Sequence, residues 1–428
     1  MRSGRGIVLA TTVVCLAAAA AACGSATAPT AGSGSAAPSG SQEPGPAGLD
    51  WSTAEVERPA GMDATPPSIS PVGDTGGLGH PGHFSGQGNP YDLAAVGDRL
   101  LAVGYTFPDF HAVAWTATDR HAWSLADIAP GTDDAFAQAI APGLPSGPTA
   151  GRVAVVGRIG MDGAAWTTAD GAAWEPASGA TAFHEPPEMQ ITTVVAGPNG
   201  FVAGGWAGIS NQPGMARFWA SRDGRSWARL PGRGPADPDG RVAAIARGPN
   251  GWVAVGTTGP VGAPTGATAW ASPDGLTWTE GVAGLRPAPG RMKAVSVGGP
   301  GFVAVGSDLA GTAAMVWLSP DGREWTVAPT QDSFGYHGLG ITMTDVTAGS
   351  GGELVAVGHF LFGTQYGQGT AWTSHDGGQS WTRMPDEAVF GQGEPAAVIP
   401  DGPGYVATGT VGAPDNYIPT VWLSPSDR

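Results

Sequence analysis

A nine-residue frame, Trp-x-Ser-Pro-Asp-Gly-x-x-Trp, returns along the chain at a spacing that leaves few architectures open. It reads most clearly at Trp270 to Trp278 and Trp317 to Trp325, and again at Trp219 to Trp227 and Trp372 to Trp381. Looser copies start at Trp115 and Trp166, and a truncated one at Trp422. Asp-Gly between two apolar runs predicts a tight hairpin, because the turn needs positive φ. The short Ser and Asp side chains can bond turn amides, and the tryptophans on either side bring large areas to bury. The first tryptophans fall 51, 53, 51, 47, 55 and 50 residues apart. A period near fifty in strand-rich sequence means a propeller or a similar array.

Each period has the same parts. An inner strand comes first, such as Lys293 to Val297 or Thr192 to Ala196. A turn follows, spelled Gly-Pro-Asn-Gly at 197–200 and 248–251. Then comes an unbroken apolar strand, as in Trp252 to Val255 and Phe302 to Val305. Continuous apolarity implies burial on both faces. The third strand carries the first Trp and the fourth the second. With 71 Gly and 39 Pro in 428 residues, and no long helical periodicity after the N-terminus, the fold class is all-β, a seven-bladed β-propeller. The seventh copy ends at Arg428 before its fourth strand. Leu49 to Val56, carrying Trp51, supplies the missing one, so the last blade is closed by an N-terminal strand. Of 16 Trp, only Trp206 is unexplained by the repeat, since Trp252 takes a second-strand slot.

The N-terminus reads differently. Residues 1–22 have a basic start, Arg2 and Arg5, then an apolar run too short for a comfortable membrane span, as in an export signal. Residues 23–48 form a Gly/Ser/Ala/Pro-rich tether, and residues 49–428 the propeller. Residues 60–90 are a Gly/Pro loop long enough to suggest function or mobility. Cys15 and Cys23 are the only cysteines, so the propeller has neither a disulfide framework nor a Cys-based metal site. A net charge of −16 argues against nucleic acid as a partner and serves solubility.

Two resemblances follow. Ala20-Ala21-Ala22 before Cys23, with Gly24-Ser25 after it, resembles a bacterial lipobox, although Leu is commoner than Ala20 three residues before the cysteine. The resemblance implies acylation of Cys23 and a membrane partner through that lipid. The chain would then sit on the outer face of the cytoplasmic membrane, in the cell envelope. An ordinary secretory signal is the alternative. Ser374-His-Asp376-Gly-Gly378-Gln-Ser-Trp381 resembles the Asp-box, or BNR, repeat of sialidase-like propellers in full, while the Ser-Pro-Asp-Gly copies are one residue shorter. Blades one and two carry Ala117 and Thr168 at the Ser position. That family includes sialidases, sorting receptors and secreted proteins of other roles, so fold does not deliver function.

Repetition in every blade assigns Asp119, Asp170, Asp223, Asp274, Asp321 and Asp376 to turn-holding. Antiparallel alternation puts the loops that differ among blades on the opposite face, where individual function resides. There Trp206, Tyr336, His337, Phe360, Tyr366 and Tyr417 are candidates to stack on and hydrogen-bond a protein or glycan ligand; packing of the loops on their own aromatics is the alternative. Resemblance to a sialidase implies three arginines, a Tyr–Glu nucleophile pair and an Asp acid/base. The family's Arg-Ile-Pro stretch is missing, and Arg241, Arg247 and Arg291 cluster in two adjacent blades. Asp332, Tyr336, Glu185 and Glu394 are candidate acid/base groups with no pairing legible in sequence. His80 and His83 lack a third metal ligand. Asp133-Asp134 and Asp386-Glu387 read as solvated loop acids before calcium ligands. The sequence therefore calls for no metal and no cofactor. It favours a monomeric binding or scaffold module, with a sialidase-like glycoside hydrolase as the alternative.

Overall fold

The structure is a computed structural model that describes residues 51–53, 55–56, 88–107, 109–178, 180–231, 240–280, 289–335, 340–362, 366–384, 389–391, 393–412 and 417–424. The signal, Cys23 and the tether lie outside these residues, as do His80, His83, Tyr336, His337, Asp386 and Glu387.

Seven antiparallel sheets follow one another along the chain. Their inner strands are Gly88–Val96, Ala135–Pro142, Met189–Gly197, Arg241–Gly248, Arg291–Gly298, Gly340–Ala348 and Gly393–Asp401. Each packs against the next, and the seventh packs against the first, so the sheets form a closed propeller. The N-terminal strand Ser52–Thr53 completes the seventh blade, with Ser52 opposite Leu423 and Thr53 opposite Trp422. Trp51 is buried and lies 5.5 Å from Phe390, which lies 5.2 Å from Trp422. Just beyond, Glu55–Val56 pairs in parallel with Ala122–Trp123 of the first blade. The segment therefore ties both sides of the seam between blades seven and one.

The seven first tryptophans are the largest fully buried side chains, each at 2% exposure or less. Ala, Val and Leu from neighbouring blades pack around them. The connections entering blades three, six and seven help to close this core. Trp219, Trp372 and Trp422 each donate their indole N–H to a carbonyl there, Ala182, Ser333 and Val389. Phe183, Phe334 and Phe390 plug the same places.

The Asp-Gly hairpins form, but not as two-residue turns. In blade four, Trp270 opposes Glu280 and Ala271 opposes Thr279, leaving a wider loop between the strands. Asp274 accepts the amides of Leu276 and Thr277 at 2.8 Å each, and Ser272 accepts that of Gly275 at 2.8 Å. Gly275 takes φ +77°, and Trp278 returns its indole N–H to the Gly275 carbonyl at 3.0 Å. One carboxylate thus organises a loop that a backbone turn alone would not hold. Asp119, Asp170, Asp223, Asp321 and Asp376 do the same. These amides hold their carboxyls below the usual range, against opposing desolvation that is the larger single influence at Asp223, Asp321 and Asp376. In the first blade Arg120 stands where the others have Gly, at φ +67°.

Candidate site in the central channel

Every inner strand carries one bulge at the same level. The register against the second strand skips one residue between Pro90 and Asp92, Ala137 and Ala139, Ile191 and Thr193, and Val242 and Ala244. It skips again between Met292 and Ala294, Met343 and Asp345, and Pro395 and Ala397. The skipped residues are Tyr91, Gln138, Thr192, Ala243, Lys293, Thr344 and Ala396. All seven line one cavity of about 230 Å³ on the propeller axis. A bulge leaves its extra residue outside the ladder and re-aims it, so the ring of bulges builds a ring of inward side chains. The volume holds several waters or one small polar molecule.

Part of this ring is committed to joining blades. Thr192 donates its hydroxyl to the Val242 carbonyl at 2.6 Å, and Thr344 to that of Pro395 at 2.6 Å. One residue further on, Asp92 accepts the amides of Leu93 at 2.8 Å and Ile140 at 2.9 Å. Asp345 accepts those of Val346 and Val398 at 2.8 Å each. Thr193 accepts the Ile245 amide at 3.2 Å. Burial pushes both carboxyls up, Asp92 to about 7 and Asp345 to about 6, with the amide bonds opposing and the Asp345 charge adding to the shift at Asp92.

The rest of the ring is unspent. Lys293 makes no hydrogen bond or ion pair among the described residues. Its side chain is open to the channel, yet protein surrounds it on nearly every side. That desolvation, and secondarily the charge of Arg291, hold its ammonium down to about 8. Glu394, from the seventh inner strand, opposes the shift. Burial raises the Glu394 carboxyl, and Lys293 pulls it back. His359, on the second strand of blade six, is held down to about 3, by burial first and the Lys293 charge second. It is therefore neutral near pH 7, and its buried Nδ1 has no hydrogen-bond partner among the described residues. Gln138 likewise makes no hydrogen bond among the described residues. One signal in the amino-acid sequence marks Lys293: it is the only lysine in the chain, beside 19 arginines. Nothing comparable marks the bulges that aim the ring.

The sequence candidates fall in several places. Among the described candidates Glu394 is the one whose charge Lys293 feels, although it does not line the cavity itself. Glu185 is taken up elsewhere: Arg217 grips both its oxygens, at 2.9 and 2.7 Å, and Arg229 pairs with it too, which lowers its carboxyl pKa. Asp332 is exposed, on a short 3-10 turn, Asp332–Phe334. Trp206 is buried at 4%, and the Arg241 guanidinium covers its ring at 3.5 Å, so it offers no open stacking face on that side. That guanidinium also donates to the carbonyls of Ile209 and Gln212. Phe360 is fully buried in the blade-six core, because its strand packs on both faces. Tyr417 accepts the Gly88 amide at its carbonyl. The Tyr366 side chain, like Tyr336 and His337, lies outside the description. On the same face Tyr105, Phe107, Phe110 and Phe136 pack on one another, with Arg158 3.8 Å above Phe136. Among the described residues no three His, Cys, Asp or Glu gather as a metal site requires.

No known family matches the chain, and no curated protein matches it. Solved structures resemble it at low identity. An α-L-arabinofuranosidase of Fusarium graminearum, in complex with an iminosugar inhibitor, matches at 12% identity and TM-score 0.45, over 79% of this chain and 92% of that one. AofleA of Arthrobotrys oligospora matches at 13% identity and TM-score 0.42, over 70% and 87%. A Trypanosoma rangeli sialidase, in complex with sialic acid, matches at 11% identity and TM-score 0.41, over 79% of this chain and 54% of its own. The propeller assignment rests on the strand pairing of this chain and not on these likenesses.

Proposed function

We propose that this protein is an exported propeller, tethered to the cell envelope by a lipid on Cys23 and built from Asp-box repeats, that binds a small polar ligand in its central channel. One observation carries the reading. The ring of bulges turns polar side chains into a single cavity, in which Lys293 and Gln138 make no hydrogen bond among the described residues, with the unpaired His359 Nδ1 and the Glu394 carboxyl close enough to exchange charge effects with Lys293. Polar groups that converge on one cavity without protein partners are free to bond a ligand, and one rich in hydroxyls and carbonyl oxygens would pair them. Isothermal titration of residues 49–428 with small sugars, polyols and hydroxy acids tests this. Binding that is lost in Lys293→Arg and Glu394→Gln supports the channel, while binding unchanged in both moves the ligand elsewhere.

The Glu394 carboxyl favours a second reading, a glycoside hydrolase, because a carboxyl raised by burial can serve as a general acid. Hydrolysis of this kind needs a second group beside the acid. Asp92 and Asp345 each already accept two backbone amides. Tyr91 is pushed well above the ordinary tyrosine range, by burial first and then by Tyr105. Turnover of a chromogenic glycoside panel that falls with Glu394→Gln would favour the hydrolase.

A further inference from the structure

Among the described residues the ion pairs to carboxylates are made by arginine or histidine, and none by lysine. Arg217 and Arg229 hold Glu185, Arg120 pairs with Asp401 and Arg225 with Glu175. Only the channel holds a lysine. A guanidinium keeps its proton in proteins, so it offers charge and nothing else. An amine can lose its proton, and then carries a nucleophilic lone pair. An anion site would be served as well or better by the arginine that holds Glu185, Asp401 and Glu175. The surroundings of Lys293 also suit the neutral amine. No acceptor among the described residues engages its nitrogen, Arg291 lies two residues earlier on the same strand, and inner strands of all seven blades surround the channel. A desolvated lysine beside another cation is a recognised way to activate this nucleophile. Glu394 supplies a carboxyl that burial raises and Lys293 pulls back, and His359 is a neutral neighbour.

We propose that Lys293 captures a small aldehyde or ketone in the channel as a reversible imine. This inference rests on the channel-binding reading above. The Nζ lone pair attacks the carbonyl carbon, and the π pair moves onto oxygen. A proton passes from nitrogen to that oxygen, giving a carbinolamine. Glu394 then protonates the hydroxyl, water leaves, and the nitrogen pair forms the C=N bond. The remaining N–H proton returns to the Glu394 carboxylate. The sum is amine plus carbonyl giving imine plus water, with no change of oxidation state. A cavity of about 230 Å³ favours a carbonyl compound of triose size. The charged or titratable groups that act on Lys293 or share its cavity are Arg291, Glu394 and His359, by their charge interaction with it, and Asp92, Asp345 and Tyr91 in the same ring.

The test uses the full exported chain, glyceraldehyde as carbonyl and cyanoborohydride to trap the imine. A lysine-containing reference peptide shares the tube, and peptide mass mapping locates the adduct. With only one lysine in the chain, the side-chain assignment has no competitor. Lys293 is expected to label at least about tenfold faster than the reference near pH 7, because an ordinary lysine is almost wholly protonated there. Glu394→Gln should slow the trapping, and Lys293→Arg should abolish it at an unchanged melting midpoint. Glycerol, which has no carbonyl, is titrated in parallel. Glycerol bound in the channel with Lys293 unlabelled and the reference labelled would overturn the imine and leave the channel reading standing. Neither binding nor adduct would overturn both.

Discussion

Replacing Trp51 by Ala removes the side chain that locks the ring shut. Trp51 is 5% exposed and stacks near Phe390, itself against Trp422, while the adjoining Ser52 and Thr53 pair with the last strand. Truncating a buried tryptophan costs about 3–5 kcal/mol. The unfolding entropy of a domain this size is on the order of 0.8 kcal/mol per degree, from the per-residue average. Trp51→Ala should therefore lower the melting midpoint by about 5 °C. Trp325→Ala is the comparison, since Trp325 is buried at 2% in a blade whose four strands are continuous in sequence. Both variants should lose similar heat stability. Only Trp51→Ala should open the C-terminal strand Ile418–Leu423 to protease under native conditions, because only that blade is held by a strand from the other end of the chain. Thermal melts by circular dichroism and timed proteolysis with mass mapping read both quantities. A midpoint within about 1 °C of the parent, or cleavage no faster than in Trp325→Ala, would refute the closure argument.

The buried acids give a pH dependence. Asp92 and Asp345 hold their protons more tightly folded, near 7 and 6, than an ordinary aspartate at 3.8. Their stabilising contribution is full below about pH 4 and fades as pH rises through 6 and then 7. A double Asn variant should show a flatter stability profile between about pH 4 and 7; an unchanged slope in urea melts would place the titration elsewhere. Asp345→Ala strips the Val398 amide of its acceptor and should cost about 1–3 kcal/mol, read as a lower urea midpoint. Gly322→Ala should cost about 2–4 kcal/mol, because its φ is +76° and the new Cβ would lie 2.0 Å from Val253 Cγ2.

The repeat spacing and the Asp-Gly frames carry seven blades in plain view, because strand alternation and turn chemistry are local. Trp51 was also legible, through a count of tryptophans that came out one short. The channel was not. Lys293 and Glu394 lie about a hundred residues apart in sequence and feel each other's charge only because seven strands close into a ring. The bulges leave no mark in the sequence, since Tyr, Gln, Thr, Ala and Lys occupy equivalent positions. Trp206 shows the converse. It broke the repeat, but packing against Arg241 explains it without a ligand. Sequence determined what each blade is, because each hairpin is stabilised by neighbours within a few residues. Tertiary structure alone decided which side chains share the axis and which stay unpaired there. Ring closure brings them together, and burial then shifts the titration of Lys293 and His359 down and of Glu394 up.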